Sequence, residues 1–214
     1  MASWAVGVLS CDVPNGALRW ELLKQGFLGR QRSERRGVAQ AHQHMTAETG
    51  GLLVDAAYPG GNILVESVEG DVVRLHPDLR DTTTWWFYWN FRVRGAAGRT
   101  LTFAFSGQNP IGVRGPAVSA DSGKTWAWLG ADTVKEGSFS YAFAPDAAER
   151  RFAFAYPYLE ADLQRFLHEH KGHGRIETGE LCTSARGRRV EWLQVGARKG
   201  DTRHRVALFC RHHA

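Results

Sequence analysis

Hydrophobic and polar positions change their rhythm along this chain of 214 residues. Between Trp85 and Arg94 they alternate. Phe87, Trp89, Phe91 and Val93 fall on one side, and Trp86, Tyr88, Asn90 and Arg92 on the other. Gly95 and Gly98 bracket a turn, after which Leu101, Phe103 and Phe105 resume the pattern. Phe139, Tyr141 and Phe143 repeat it, and so do Phe152, Phe154 and Tyr156. A period of two residues places alternate side chains on opposite faces of a strand, one face buried. Asn62 to Glu69 and Asp71 to Leu75 flank Gly70 and predict a hairpin. Several such strands at regular spacing predict a mainly β protein built on an antiparallel β-sandwich. Burying each large aromatic is worth about 1.5–3 kcal/mol, enough for these rows to support a core.

Pro157 ends that rhythm. Glu160 to His168 reads as a helix, with Leu159, Leu163, Phe166 and Leu167 along one stripe. Strands follow near Ile176 to Thr183 and Val190 to Val195, joined by the turn Arg186-Gly187-Arg188, and a last strand runs from Arg205 to Cys210. Helix, hairpin and strand mark a change from all-β to α/β, so a domain boundary is expected near Pro157. Residues 1–50 differ from both parts. They hold the run Arg30-Gln31-Arg32-Ser33-Glu34-Arg35-Arg36 and no strand alternation. The expected organisation is a flexible or mis-started extension over 1–50, with Met45 as an alternative start. A sandwich over 51–156 and an incomplete α/β segment over 157–214 follow it.

Composition removes several function classes. A hydrophobic share of 43% suits a packed globule and argues against wholesale disorder. No apolar run approaches a membrane span, and Met1 to Leu9 lacks a basic leader, so neither a membrane anchor nor a signal peptide is expected. The net charge is +5, but the basic residues are scattered among acidic ones, and nucleic acid is not expected as a partner. Cys11, Cys182 and Cys210 are odd in number and lack CxxC spacing, which reads as reduced thiols in a cytoplasmic protein.

Four local patterns carry candidate chemistry. Ser119-Ala120-Asp121-Ser122-Gly123-Lys124-Thr125-Trp126 fits the Asp-box pattern, read here as a hairpin turn in which Asp121 binds backbone amides and Trp126 anchors the next strand. His168, Glu169, His170 and His173 resemble a metal cluster, but residues two apart on a helix diverge, so a solvated helix end is expected. Trp85, Trp86, Tyr88 and Trp89 could stack on sugars or bases, and packing in the core or at a domain interface is the preferred reading. Cys210 beside His212 and His213 lacks the third group that a thiol nucleophile needs.

Three stretches together resemble the cytosolic branch of the zinc carboxypeptidase family. The first runs from Tyr58-Pro59-Gly60-Gly61-Asn62 through Trp86-Phe87-Tyr88-Trp89-Asn90-Phe91-Arg92-Val93-Arg94-Gly95 and is similar to the family's N-terminal β-sandwich. The second, Phe154-Ala155-Tyr156-Pro157-Tyr158 with Asp162-Leu163-Gln164-Arg165, resembles the junction into the first peptidase helix. The third is Gly187-Arg188 with Val190, then Arg211-His212-His213-Ala214. This last stretch resembles the approach to the family's zinc-binding Arg-x-His-x-x-Glu.

The resemblance implies a zinc metallocarboxypeptidase that hydrolyses C-terminal residues from peptides or proteins, with zinc as cofactor and a peptide or protein C-terminus as substrate. By position it assigns His213 as a zinc ligand. The partner Glu, the second His, the groups that grip the substrate carboxylate and the catalytic Glu would all fall beyond Ala214. The chain alone is therefore expected to be inactive, because zinc needs three or four protein donors. The rival reading is a stand-alone β-sandwich module that binds carbohydrate or protein.

Overall fold

A computed structural model describes residues 46–79, 85–184, 187–196 and 206. The described chain divides into two compact units, one holding residues 46–165 and the other holding residues 166 onward.

The first unit is a two-sheet sandwich. Its strands are β1 (Ala47–Thr49), β2 (Leu52–Asp55), β3 (Leu64–Glu69), β4 (Val72–His76), β5 (Asn90–Arg94), β6 (Thr100–Phe105), β7 (Ala117–Ser119), β8 (Ala127–Trp128), β9 (Val134–Lys135), β10 (Ser138–Ala142) and β11 (Glu149–Ala153). One sheet has six strands in the order β1-β2-β5-β11-β7-β8, and the other has five in the order β3-β4-β6-β10-β9. Ala47–Thr49, which the sequence pattern left in the N-terminal extension, form the edge strand of the first sheet, with Ala47 opposite Val54.

The core forms where the alternating rows meet. Trp89, Phe91 and Val93 from one sheet and Leu101 and Phe103 from the other are fully buried. Phe103 lies at 5.2 Å from Phe91, 5.1 Å from Phe139 and 5.1 Å from Phe152, so its ring joins both sheets. Tilted aromatic pairs at such distances are attractive beyond the area they bury.

The β3–β4 hairpin is present, turning at Gly70 with φ of 61°. Three details depart from the sequence pattern. First, β4 pairs with β6 in parallel, although the other strand pairs of the sandwich are antiparallel. Strand β5, which lies between them in sequence, belongs to the opposite sheet, so the chain crosses over and β6 returns alongside β4. Second, strand β5 starts only at Asn90, and Phe87 is 39% exposed rather than in the core. Third, β11 is Glu149–Ala153 rather than a strand from Phe152 to Tyr156, and Tyr156 is 47% exposed. Neighbouring pairs of buried residues explain the last two. Asn90 with Phe91, and Phe152 with Ala153, are all buried. This end of the sheet is therefore covered on its outer face as well, and strict alternation stops there.

After β11 comes α1 (Glu160–Glu169), with Glu160 and Asp162 in its first turn, where acidic groups complement the helix dipole. The second unit contains β12 (Ile176–Thr183) and β13 (Arg189–Val195), an antiparallel hairpin. Gly179 lies under the Trp192 indole, and a Cβ there would sit 2.4 Å from Nε1, so a larger residue would have to push the indole aside. The predicted last strand, Arg205 to Cys210, lies outside the described residues except for Val206.

Candidate functional site

The outer cover on the six-stranded sheet is the loop Tyr58-Pro59-Gly60-Gly61-Asn62. Asn62 and Asn90 exchange backbone hydrogen bonds of 2.8 and 3.0 Å, which fixes the loop to the first residue of β5. The Asn62 side chain holds Asp78 twice, accepting its N–H at 2.8 Å and donating to its carbonyl at 3.1 Å. The Tyr58 hydroxyl donates to Asn90 Oδ1 at 2.6 Å, and the Tyr88 hydroxyl donates to the Gly60 carbonyl at 2.7 Å. Both glycines are required, Gly61 by space and Gly60 by its left-handed backbone. A Cβ on Gly61 would lie 2.1 Å from the Ala56 carbonyl oxygen, and one on Gly60, whose φ is 81°, would lie 2.6 Å from Leu159 Cδ2. Leu159 is the residue immediately before α1, so the junction segment rests on this loop.

A row of charges continues along the same face. Asp55 is buried, and each of its oxygens is partnered: Ala57 N–H donates to Oδ1 at 2.8 Å and Arg92 Nε to Oδ2 at 2.7 Å. The Tyr58 ring receives two guanidinium groups, Arg151 at 4.4 Å and Arg92 at 5.3 Å from its centroid. Glu149 accepts from Arg94 at 2.9 Å, Arg151 at 2.8 Å and Ser122 at 3.1 Å. Burial pushes the Tyr58 hydroxyl well above its ordinary value, against the pull of Arg151. Burial also pushes the Glu149 carboxyl up, but the hydrogen bonds from Arg151 and Arg94 outweigh it and leave it below its ordinary value. The hydrogen bond to Asp55 raises Arg92. Each carboxylate of the row is paired with arginine and anchored, so these groups hold a shape.

The Asp-box stretch forms the predicted turn between β7 and β8. Asp121 Oδ1 accepts the N–H groups of Lys124 at 3.0 Å and Thr125 at 2.9 Å, and Oδ2 accepts the Thr125 hydroxyl at 2.6 Å. The Thr125 hydroxyl, and then its N–H, hold the Asp121 carboxyl far below the usual range. Trp126 Nε1 donates to the Gly123 carbonyl at 3.0 Å, and Ser122 ties the turn to Glu149. Its role is to shape a turn and fix it to the charged row.

The other sequence candidates do not converge. His170 stacks on Phe166 at 4.3 Å, and its Nδ1 lies 2.9 Å from the Phe166 carbonyl oxygen. His173 Nδ1 instead accepts the Arg175 N–H at 3.3 Å. Among the described residues no three His, Cys, Asp or Glu side chains gather as a metal would require. His213, Cys210 and Cys11 lie outside the described residues, whereas Cys182 is exposed and free. The aromatic stretch divides: Trp89 is core, Tyr88 serves the loop, and Trp85 and Phe87 line a cleft of about 380 Å³ with Asn109, Pro110, Ile111 and Phe154. Among the described residues no helix is long and apolar enough to cross a membrane.

The last strand of the sandwich leads through a seated junction into a helix, and an antiparallel hairpin follows. Residues 54–156 match the family described as the cytosolic carboxypeptidase N-terminal domain. Solved structures share the fold. A metallo-carboxypeptidase from Burkholderia cenocepacia is 21% identical at a TM-score of 0.55, with 70% of this chain and 41% of that chain covered. A protein assigned as a carboxypeptidase from Burkholderia mallei is 24% identical at a TM-score of 0.58, with 69% and 40% covered. One assigned as carboxypeptidase A from Shewanella denitrificans is 23% identical at a TM-score of 0.53, with 68% and 40% covered. The matched region thus spans about two fifths of the length of these relatives. A search of curated proteins returns no match.

Of the residues that carried the resemblance, Tyr58, Gly60 and Asn62 meet Tyr88 and Asn90, and Gly60 meets Leu159. Sequence reasoning did not find the contact between Gly60 and Leu159. Its signal was the glycine pair between an aromatic and an Asn, a sign of close backbone approach.

Proposed function

We propose that this chain is the N-terminal part of a zinc-dependent metallocarboxypeptidase. In this reading 51–156 form the accessory sandwich, 157–214 open the peptidase domain, and residues 1–50 precede both. The family match over residues 54–156 carries the reading, because the chain then continues directly into α1. The substrate is the C-terminus of a peptide or protein, by analogy with the relatives named as carboxypeptidases. The compartment is the cytoplasm, in keeping with the family's description and the free Cys182 thiol. Nucleic acid and membrane are not partners in this reading.

His213 is the one position in the chain assigned as a zinc donor. A catalytic zinc site takes three protein ligands and leaves a position for water. The described residues do not fit such a site, since no three donors gather among them. No step through a metal is therefore derived, and a polypeptide of these 214 residues is expected to release no C-terminal residue in the presence of zinc. The test reads the coding DNA beyond Ala214 and expresses the uninterrupted reading frame. A carboxylate two positions on, followed by a long α/β sequence with zinc-dependent release of C-terminal residues, is the expected result. A frame with no such donor, or zinc-dependent release from the 214-residue chain itself, overturns the proposal.

The stand-alone module draws on one observation, the cleft between Trp85, Phe87 and Phe154. Titration of the purified chain with oligosaccharides and peptides tests it, and saturable binding lost in Phe87→Ala is what it requires.

A further inference from the structure

The family match stops at residue 156, yet the compact unit continues to Arg165. We propose that the Tyr58–Asn62 loop is a positioning site that seats Leu159 and thereby holds the first turn of α1 on the sandwich. The inference deepens the reading above, in which α1 opens the peptidase segment.

Three sets of observations carry it. The seat is cut to shape. Gly60 has a φ of 81°, and the space where its Cβ would stand is filled by Leu159, with Cδ2 2.6 Å from that point. The Tyr88 hydroxyl binds the Gly60 carbonyl at 2.7 Å and holds the backbone from the strand side. A β-carbon at Gly60 would displace the end of the leucine side chain and would be strained by its left-handed backbone.

The helix start is prepared to receive this anchor. Asp162 Oδ2 accepts the Leu159 N–H at 2.7 Å, the reciprocal half of a capping box. The Leu159 carbonyl accepts from Asp162 N–H at 3.0 Å and Leu163 N–H at 3.2 Å, so the seated residue also provides the first helical acceptor. Arg165 pairs with Asp162 across the same turn.

The helix needs an anchor. It has ten residues, and helices shorter than about 12–15 residues are marginal in water on their own. Its one fully buried residue is Leu163, a single turn beyond Leu159. The sandwich therefore contributes the ordering of this turn, and the compact unit ends at Arg165, past the family boundary at residue 156.

The test is amide hydrogen exchange on the full chain carrying Leu159→Ala. Leu159 precedes the helix and lies outside the sandwich core, so the variant folds. Protection at Leu163, Gln164 and Arg165 should fall about tenfold or more, while amides at Phe91 and Phe103 keep theirs, as expected of a local opening. Tyr88→Phe should move the same helix amides in the same direction by a smaller factor. Unchanged protection at residues 163–165 in Leu159→Ala overturns the seat, and so does an equal loss at Phe91 and Phe103. Because the readout involves neither zinc nor substrate, its failure would leave the peptidase reading standing, and absence of peptidase sequence downstream would leave the seat standing.

Discussion

Asp55 shows how a single residue constrains this protein. Its carboxylate is buried, and its side chain is only 3% exposed, yet both oxygens have donors. Removing one partner of such a group strands a charge out of water, which costs far more than the net worth of the pair. Arg92→Ala is therefore expected to lower stability by about 3 kcal/mol, seen as a shift in the urea midpoint. Glu149 adds a pH dependence. Its folded-state value is depressed, so the stability it contributes is present above its ordinary value of 4.5 and is lost as pH falls through the depressed value. Thermal midpoints should decline on the acid side of 4.5, and Glu149→Gln should flatten that decline. A steeper decline in the variant would contradict the assignment.

At the scale of elements, the turn between β7 and β8 is held by one carboxylate that gathers the Lys124 and Thr125 amides and the Thr125 hydroxyl. Strand β8 has two residues and, among the described strands, pairs with β7 alone, so it is the edge of the sheet. Asp121→Ala should therefore release the Lys124 and Thr125 amides to fast exchange while amides in β5 and β6 stay protected. A global loss of protection would mean that the turn organises the sandwich rather than its edge. This turn was legible in the sequence because the hydrogen bonds that shape it around Asp121 lie within a few residues. The β3–β4 and β12–β13 hairpins were legible for the same reason, their strands being joined by short turns at Gly70 and Gly187. The Gly60–Leu159 contact was not, because its two residues lie far apart in the chain and on different elements. Phe87 misled the alternation, since a period of two cannot tell where the partner strand stops.

Across the whole sandwich, cohesion depends on rings shared between sheets. Phe103 touches Phe91, Phe139 and Phe152, which come from three other strands in two sheets. Phe103→Ala should cost about 3–5 kcal/mol, including the cavity left behind. The residues 46–165 should lose that stability in one cooperative transition, followed by tryptophan fluorescence and far-UV circular dichroism together. Separate transitions for the two probes would show that the sheets unfold independently.

The sequence by itself determined most of the longer strands, which side of them is apolar, where the hairpins turn, and the resemblance of its aromatic strand and junction to carboxypeptidases. Those properties are local, set by side-chain period and by turn residues that act on their own backbone. Tertiary structure alone decided how eleven strands divide between two sheets, why β4 and β6 run parallel, and that Gly60 lies under Leu159. Each of these depends on which distant surfaces exclude water from one another, and no periodicity along a chain records that choice.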